Sequence, residues 1–120
     1  MYYLFMSQIN VRKENDIIIA EYQGKLDHDT LEEAQQQIKK HLGSSSRRIL
    51  HDTRNLKTPD MELAKKMEEF TQKEGRYIQK TATVTSDASI AFKARIAFEE
   101  AADHKVFYDD LEAARSWLIN

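Results

Sequence analysis

The sequence predicts an α/β domain, a ββα unit followed by three βα units, in which a mixed, mostly parallel sheet of about five strands carries four helices. Three observations lead there. Short runs rich in β-branched and aromatic residues alternate with longer stretches whose apolar residues recur at helical spacing. The first two runs are close enough to pair through a tight turn, whereas the later ones are separated by helical stretches, each forming a crossover expected to be right-handed. The later runs close on small polar or acidic residues just before the next helix, at Asp52-Thr53-Arg54, Thr85-Ser86-Asp87 and Asp109-Asp110. In an open α/β sheet such junctions gather on the edge formed by the carboxyl ends of the strands, where ligands usually bind.

Ile9 and Val11 alternate with polar neighbours, and Ile17-Ile18-Ile19-Ala20-Glu21-Tyr22 follows the Glu14-Asn15-Asp16 turn, predicting an antiparallel pair whose second strand is the more buried. Gly24 ends that strand. Thr30 and Glu33 have capping-box spacing ahead of the stripe Leu31, Ala34, Ile38 and Leu42, and Gly43 supplies the residue after the helix. Ser44-Ser45-Ser46 is a short loop. The run Arg47 to Asp52 reads as an internal strand that leaves Asp52 and Arg54 at the start of a loop. The second helix is expected to start with Thr58 as its N-cap and Pro59 in its first turn, to bury Leu63, Ala64, Met67 and Phe70, and to close at Gly75. Thr81 to Thr85 is the next strand. Asp87 or Ser89 caps a third helix, the most buried of the set, in which Ile90, Phe92, Phe98 and several alanines cover more than one face. Lys105 to Tyr108 is the last strand, and Asp109 with Glu112 repeats the capping-box spacing before Leu111, Ala114, Trp117 and Leu118.

A length of 120 residues suits one domain, with residues 9–120 as its body and residues 1–8 as an extension or the start of the first strand. Met6 is a second candidate start. An apolar fraction of 41% beside 32% charged residues, with three glycines and one proline, excludes disordered and collagen-like classes. The absence of cysteine removes disulfides, thiolate metal sites and cysteine nucleophiles, and suits a cytoplasmic location. The net charge of −2, with acids and bases interspersed, lacks the basic footprint of a nucleic-acid binder. Met1 to Met6 is too short for a secretory signal, and no stretch approaches the ~20 apolar residues of a membrane span.

No motif of known chemistry is present. His28, His41, His51 and His104 lie in four segments with no i, i+4 pair, so neither a metal nor another cofactor is expected. The serines lack a nucleophile elbow, and Glu32-Glu33, Glu68-Glu69 and Glu99-Glu100 fall on solvated helix faces. No catalytic residue is therefore expected. Met67, Phe70, Phe92, Phe98 and Trp117 serve most simply as core, although between helices and sheet they could also line an apolar cavity.

Val106-Phe107-Tyr108-Asp109-Asp110-Leu111-Glu112-Ala113-Ala114-Arg115-Ser116-Trp117-Leu118 resembles the end of STAS-like (SpoIIAA-like, anti-sigma-factor-antagonist-like) proteins, which close with a Phe-bearing strand, an acidic turn and an Ala-rich helix. Ile49-Leu50-His51-Asp52-Thr53-Arg54 resembles their central strand ending in Asp-x-Arg, and Gly24-Lys25-Leu26-Asp27 their turn into the first helix. The resemblance runs from about Ile9 onward and implies the SpoIIAA-like fold and a regulatory role through binding a protein. In the phosphorylated branch a Ser follows an Asp at the start of the second helix; here the matching pair is Asp60-Met61, without a hydroxyl, and Thr58 is a displaced substitute. That departure points to a branch without the phosphoserine switch, some members of which are compared in shape with CRAL-TRIO lipid-binding domains.

The expected function is thus a non-enzymatic, cytosolic, protein-binding regulatory module. Its surface would comprise Asp52, Thr53, Arg54, Thr58, Asp60, Met61, Ser86 and Asp87, with Met61 as an adaptable apolar contact and the charges setting orientation. Arg54 has a simpler role as partner of Asp52, and Ser86-Asp87 as a helix cap. The alternative function is a small-molecule or lipid carrier using an apolar cavity between helices and sheet. A homodimer through the N-terminal strand or Tyr2-Tyr3-Leu4-Phe5 is a further expectation.

Overall fold

The computed structural model describes residues 8–42, 47–98 and 103–120. Expectations placed on Met1 to Met6, Gly43 to Ser46 and Glu99-Glu100 lie outside the described residues. The chain forms β1 (Ile9–Glu14), β2 (Ile17–Gly24), α1 (His28–His41), β3 (Arg48–Leu56), α2 (Met61–Glu74), β4 (Lys80–Thr85), α3 (Ala88–Ala97), β5 (His104–Tyr108) and α4 (Leu111–Ile119), with a 3-10 turn at Gly75–Tyr77. The sheet order is β1-β2-β3-β4-β5. β1 and β2 are antiparallel and every other pair is parallel. Asn15, with φ of 52°, makes the left-handed bend of the hairpin, a conformation that Asn tolerates better than most residues.

Because successive strands are added in one direction, crossovers of one hand place their helices on one face. α1, α2 and α3 accordingly bury Leu31, Ala34, Ile38, Leu63, Met67 and Ala94 against Ile18, Ala20, Tyr22 and Ile49. α4, which follows the edge strand β5, covers the opposite face, where Ala114 and Leu118 pack on Ile17, Ile19, Leu50, Ala82 and Val84. The sheet therefore has no point at which neighbouring crossovers diverge to opposite faces, and the edge crevice that such a point creates has no counterpart among the described strands.

Aspartate caps all four described helices: Asp27, Asp60, Asp87 and Asp110 each accept a bond from a backbone N–H of the first turn. Three of the expected caps are corrected by this. Thr30 sits inside α1 and gives its own N–H to Asp27 at 2.8 Å, so the Thr30–Glu33 capping box does not form. Asp60, at 2.9 Å from the Leu63 N–H, replaces Thr58. Asp110 replaces Asp109, whose φ of 54° makes it the turn residue before the cap. A carboxylate is the strongest of these acceptors because it also opposes the positive end of the helix dipole.

A further correction concerns β3, which continues through Asp52, Thr53 and Arg54 to Leu56 rather than ending at Asp52. Its register with β2 slips by one residue, since Glu21 faces Asp52 while Gln23 faces Asn55. This bulge returns Leu56 to the same side as Thr53, three positions earlier, instead of the even spacing of a regular strand.

Candidate functional site

Side-chain alternation along β3 builds two separate sites. Leu50 and Asp52 face α4, and Arg54 folds back onto Asp52: its Nε donates to Oδ1 at 2.9 Å and its Nη2 to Oδ2 at 2.8 Å, while the Arg54 N–H reaches Oδ1 at 3.2 Å. Partial burial pushes the Asp52 carboxyl up, but its bonds to Arg54 more than offset that and hold it below the usual carboxylate range. A second group of charges lies near the bidentate pair. Arg12 on β1 binds Glu14 at 2.6 Å and Glu21 at 3.0 Å, and Arg115 on α4 binds Glu14 at 3.0 Å. Hydrogen bonds from Arg12 and then Arg115 lower the Glu14 pKa. Beside this network, Ser86 donates a hydrogen bond to Asp109.

The other site lies beneath α1, α2 and α3. A cavity of about 80 Å³ is walled by Leu26, Leu31, Leu63, Met67, Ile90 and Phe98 on its helical side. Tyr22, His51, Thr53 and Thr83 form its sheet side. The Tyr22 Oη lies 2.8 Å from His51 Nδ1. The His51 ring stacks on Tyr22 at a centroid distance of 5.8 Å and on Phe98 at 5.0 Å, and Phe98 also meets His104 at 4.7 Å. His104 Nε2 is 3.0 Å from Thr83 Oγ1. Burial pushes the His51 pKa down to about 3, with His104 adding to the effect, and pushes the His104 pKa down to about 4, with Arg95 adding. Both imidazoles are neutral near pH 7, and burial likewise raises the Tyr22 phenol well above its ordinary value.

Only part of the expected partner surface comes together. Asp52 and Arg54 are directly bonded, as the simpler role of Arg54 requires. Thr53 points the other way: it is buried, its hydroxyl donates to the Val84 carbonyl at 2.8 Å, and it lines the cavity. Asp60 and Asp87 are occupied as caps, while Thr58 and Ser86 are exposed and Met61, the first residue of α2, is 40% exposed. Of the aromatic and Met residues expected inside, Met67 and Phe98 line the cavity, Phe70 packs against the same core, and Trp117 packs beside Phe107 on the α4 face. Phe92 is a correction. At 60% exposure it lies outside the core, because the residues of α3 that face inward are Ile90, Ala91, Ala94 and Ala97.

Sequence reading treated the histidines as four scattered residues and so passed over the Tyr22–His51 pair. The available signal was the period of two: Ala20 pairs with His51 and His51 with Thr83, which places all three on one row of the same face. The structure also brings His28, Asp60 and Glu62 together, their candidate ligand atoms within 4.8 Å, at the starts of α1 and α2. All three are exposed, Asp60 is already a cap, and two positive helix ends oppose a cation there.

A family model described as SpoIIAA-like matches residues 17–119. The chain belongs to the SpoIIAA-like family. Solved structures share the SpoIIAA-like fold at low identity. An uncharacterised DUF3478 protein from Shewanella loihica PV-4 is 19% identical, with a TM-score of 0.68 over 92% of this chain and 91% of its own. An anti-sigma factor antagonist from Mycobacterium paratuberculosis is 13% identical, with a TM-score of 0.69 over 93% of each chain. The anti-sigma factor antagonist SpoIIAA in its unphosphorylated form is 12% identical, with a TM-score of 0.57 over 91% of this chain and 94% of its own. No curated protein matches the sequence. Among the described residues of this SpoIIAA-like chain, no helix is long and apolar enough to cross a membrane.

Proposed function

We propose that this SpoIIAA-like chain is a non-enzymatic regulatory module that acts in the cytosol by binding a protein. The observation that carries the reading is family membership over residues 17–119, joined to a charged surface centred on Asp52 and Arg54. Two relatives of the same fold are anti-sigma factor antagonists. With Asp60 and Asp87 taken up as caps, the contact surface narrows to Arg54, Thr58, Met61 and Ser86, with Asp52 fixing the Arg54 guanidinium and Thr53 serving the interior. Asp60-Met61 carries no hydroxyl, so regulation here runs without phosphorylation at that pair.

Native mass spectrometry of the protein purified from its own cells tests this reading. A stoichiometric protein partner is expected, and Met61→Asp should weaken its binding while leaving the melting temperature nearly unchanged. Loss of binding and melting temperature together would place Met61 in the core and the surface elsewhere. A covalent increment of one phosphate would restore a switch.

The cavity favours a second reading, a carrier or sensor of a small apolar molecule. Its support is an apolar-walled space beneath the helices of a domain this small, where such voids are few. Native spectra with extra mass of small-molecule size, lost on denaturation, are the expected sign.

A further inference from the structure

Resting on the second reading, we infer that the cavity takes a small apolar molecule carrying a hydrogen-bond acceptor oxygen, such as a ketone carbonyl, received by the Nε2–H of His51.

The argument is an accounting of donors. The Tyr22 hydroxyl is buried and its one hydrogen bond runs to His51 Nδ1 at 2.8 Å. If Nδ1 carried the proton, the Tyr22 oxygen would accept it and the buried phenolic proton would be left without an acceptor, a cost that folded proteins avoid. The Tyr22 hydroxyl is therefore the donor, Nδ1 the acceptor, and the ring proton of the neutral imidazole sits on Nε2. Among the described residues Nε2 has no hydrogen-bond partner, although His51 is only 3% exposed and lines the cavity.

The remaining polar groups of the lining sharpen the ligand class. The Thr53 hydroxyl is committed to the Val84 carbonyl and that of Thr83 to His104. The uncommitted groups are the His51 Nε2–H and the ammonium of Lys93, which makes no ion pair among the described residues. Both are donors. A ligand with an acceptor oxygen satisfies the donors the wall leaves open, whereas a donor-only ligand leaves them unsatisfied. Size sets the other limit. Dry apolar cavities of ~150 Å³ accept benzene, so about 80 Å³ suits a molecule of a few heavy atoms.

The test follows His51 ring nitrogens by long-range ¹H–¹⁵N NMR while the full chain is titrated with acetone and, separately, with propane. The expected result begins with a free protein whose Nε2 is protonated and Nδ1 is not. Acetone then shifts Nε2 saturably and binds on the order of tenfold more tightly than propane, the difference one hydrogen bond supplies. Ala94→Leu, which fills the space, abolishes the shift. Should that variant fail to fold, Ala64→Leu serves the same purpose from α2. Equal binding of both probes, or a proton found on Nδ1, overturns the inference while the apolar-carrier reading stands. Absence of binding by either probe overturns both, and a shift that persists in a folded filled variant places the ligand elsewhere and overturns the inference.

Discussion

On the α1–α3 side of the sheet, β3 places His51 and Thr53 among apolar helices; on the α4 side the same strand places Leu50 under Leu118 and leaves Asp52 and Arg54 at the margin. The inner side holds its imidazoles neutral, His51 bonded to Tyr22 through Nδ1 and His104 to Thr83 through Nε2. The outer side keeps full charges and matches them in the Asp52–Arg54 pair and in a neighbouring chain of pairs from Arg115 through Glu14 and Arg12 to Glu21. A neutral pair can be buried at modest cost, whereas an ion pair loses much of its gain to desolvation once removed from water. The contrast assigns different tasks to the two sides: the inner one can discriminate small neutral molecules, and the outer one can orient a protein partner.

The strongest way to break this comparison is to remove Phe98, which joins both histidines on the inner side. Phe98→Ala, just past the end of α3, should cost about 3–5 kcal/mol in chemical denaturation, while Phe92→Ala within α3 should stay within ~0.5 kcal/mol. Similar losses at both positions would erase the distinction between the buried and exposed faces of α3.

Acid should separate the two sides next. His51 and His104 have folded pKa values of about 3 and about 4, below the ~6.5 of an unfolded histidine. Their contribution is complete above the unfolded value and is lost as pH falls toward the folded ones, at up to ~1.4 kcal/mol per pH unit for each group. The Asp52 pKa is also lowered, so its contribution is present above ~3.9 and disappears only in stronger acid. Denaturant midpoints between pH 7 and 5 should therefore fall because of the inner side alone. The double variant Tyr22→Phe/His51→Leu should remove about half of that slope, and an unchanged slope would show that His51 is not buried neutral.

On the outer side, Arg54→Ala leaves the buried Asp52 carboxylate without its bidentate partner and should cost about 1–2 kcal/mol by thermal denaturation. The smallest effect belongs to Arg115→Ala, which breaks a partly exposed pair with Glu14 and should lower the melting temperature less than Arg54→Ala does, and less still at high salt. A larger loss for Arg115 than for Arg54 would place the centre of the network at β1 rather than at Asp52.

The order of elements was legible in the sequence because each depends on local period and on residues a few positions apart. Ile17 to Tyr22, the Leu31–Ala34–Ile38 stripe and the Leu111–Ala114–Leu118 stripe all signal in this way. The Asp52–Arg54 bond was legible for the same reason, two residues apart in one segment. Cap identity was harder to read. Thr30, Thr58 and Asp109 all have suitable side chains, and the choice of Asp27, Asp60 and Asp110 depends on where the chain leaves the sheet.

Neighbouring residues suffice to specify an α/β domain of five strands and four helices with acidic junctions at the helix starts, since backbone propensity, capping and hydrophobic period are local properties. Tertiary packing sets the rest: α4 lies opposite the other helices, the β3 bulge turns Leu56 inward beside Thr53, Tyr22, His51 and Phe98 meet around one cavity, and His104 packs behind Phe98. Tyr22 and His51 are 29 positions apart, and Phe98 lies on a different element from either. Their meeting is fixed by strand order and register, which arise from burying two faces of the sheet at once and leave no trace in the spacing of residues along the chain.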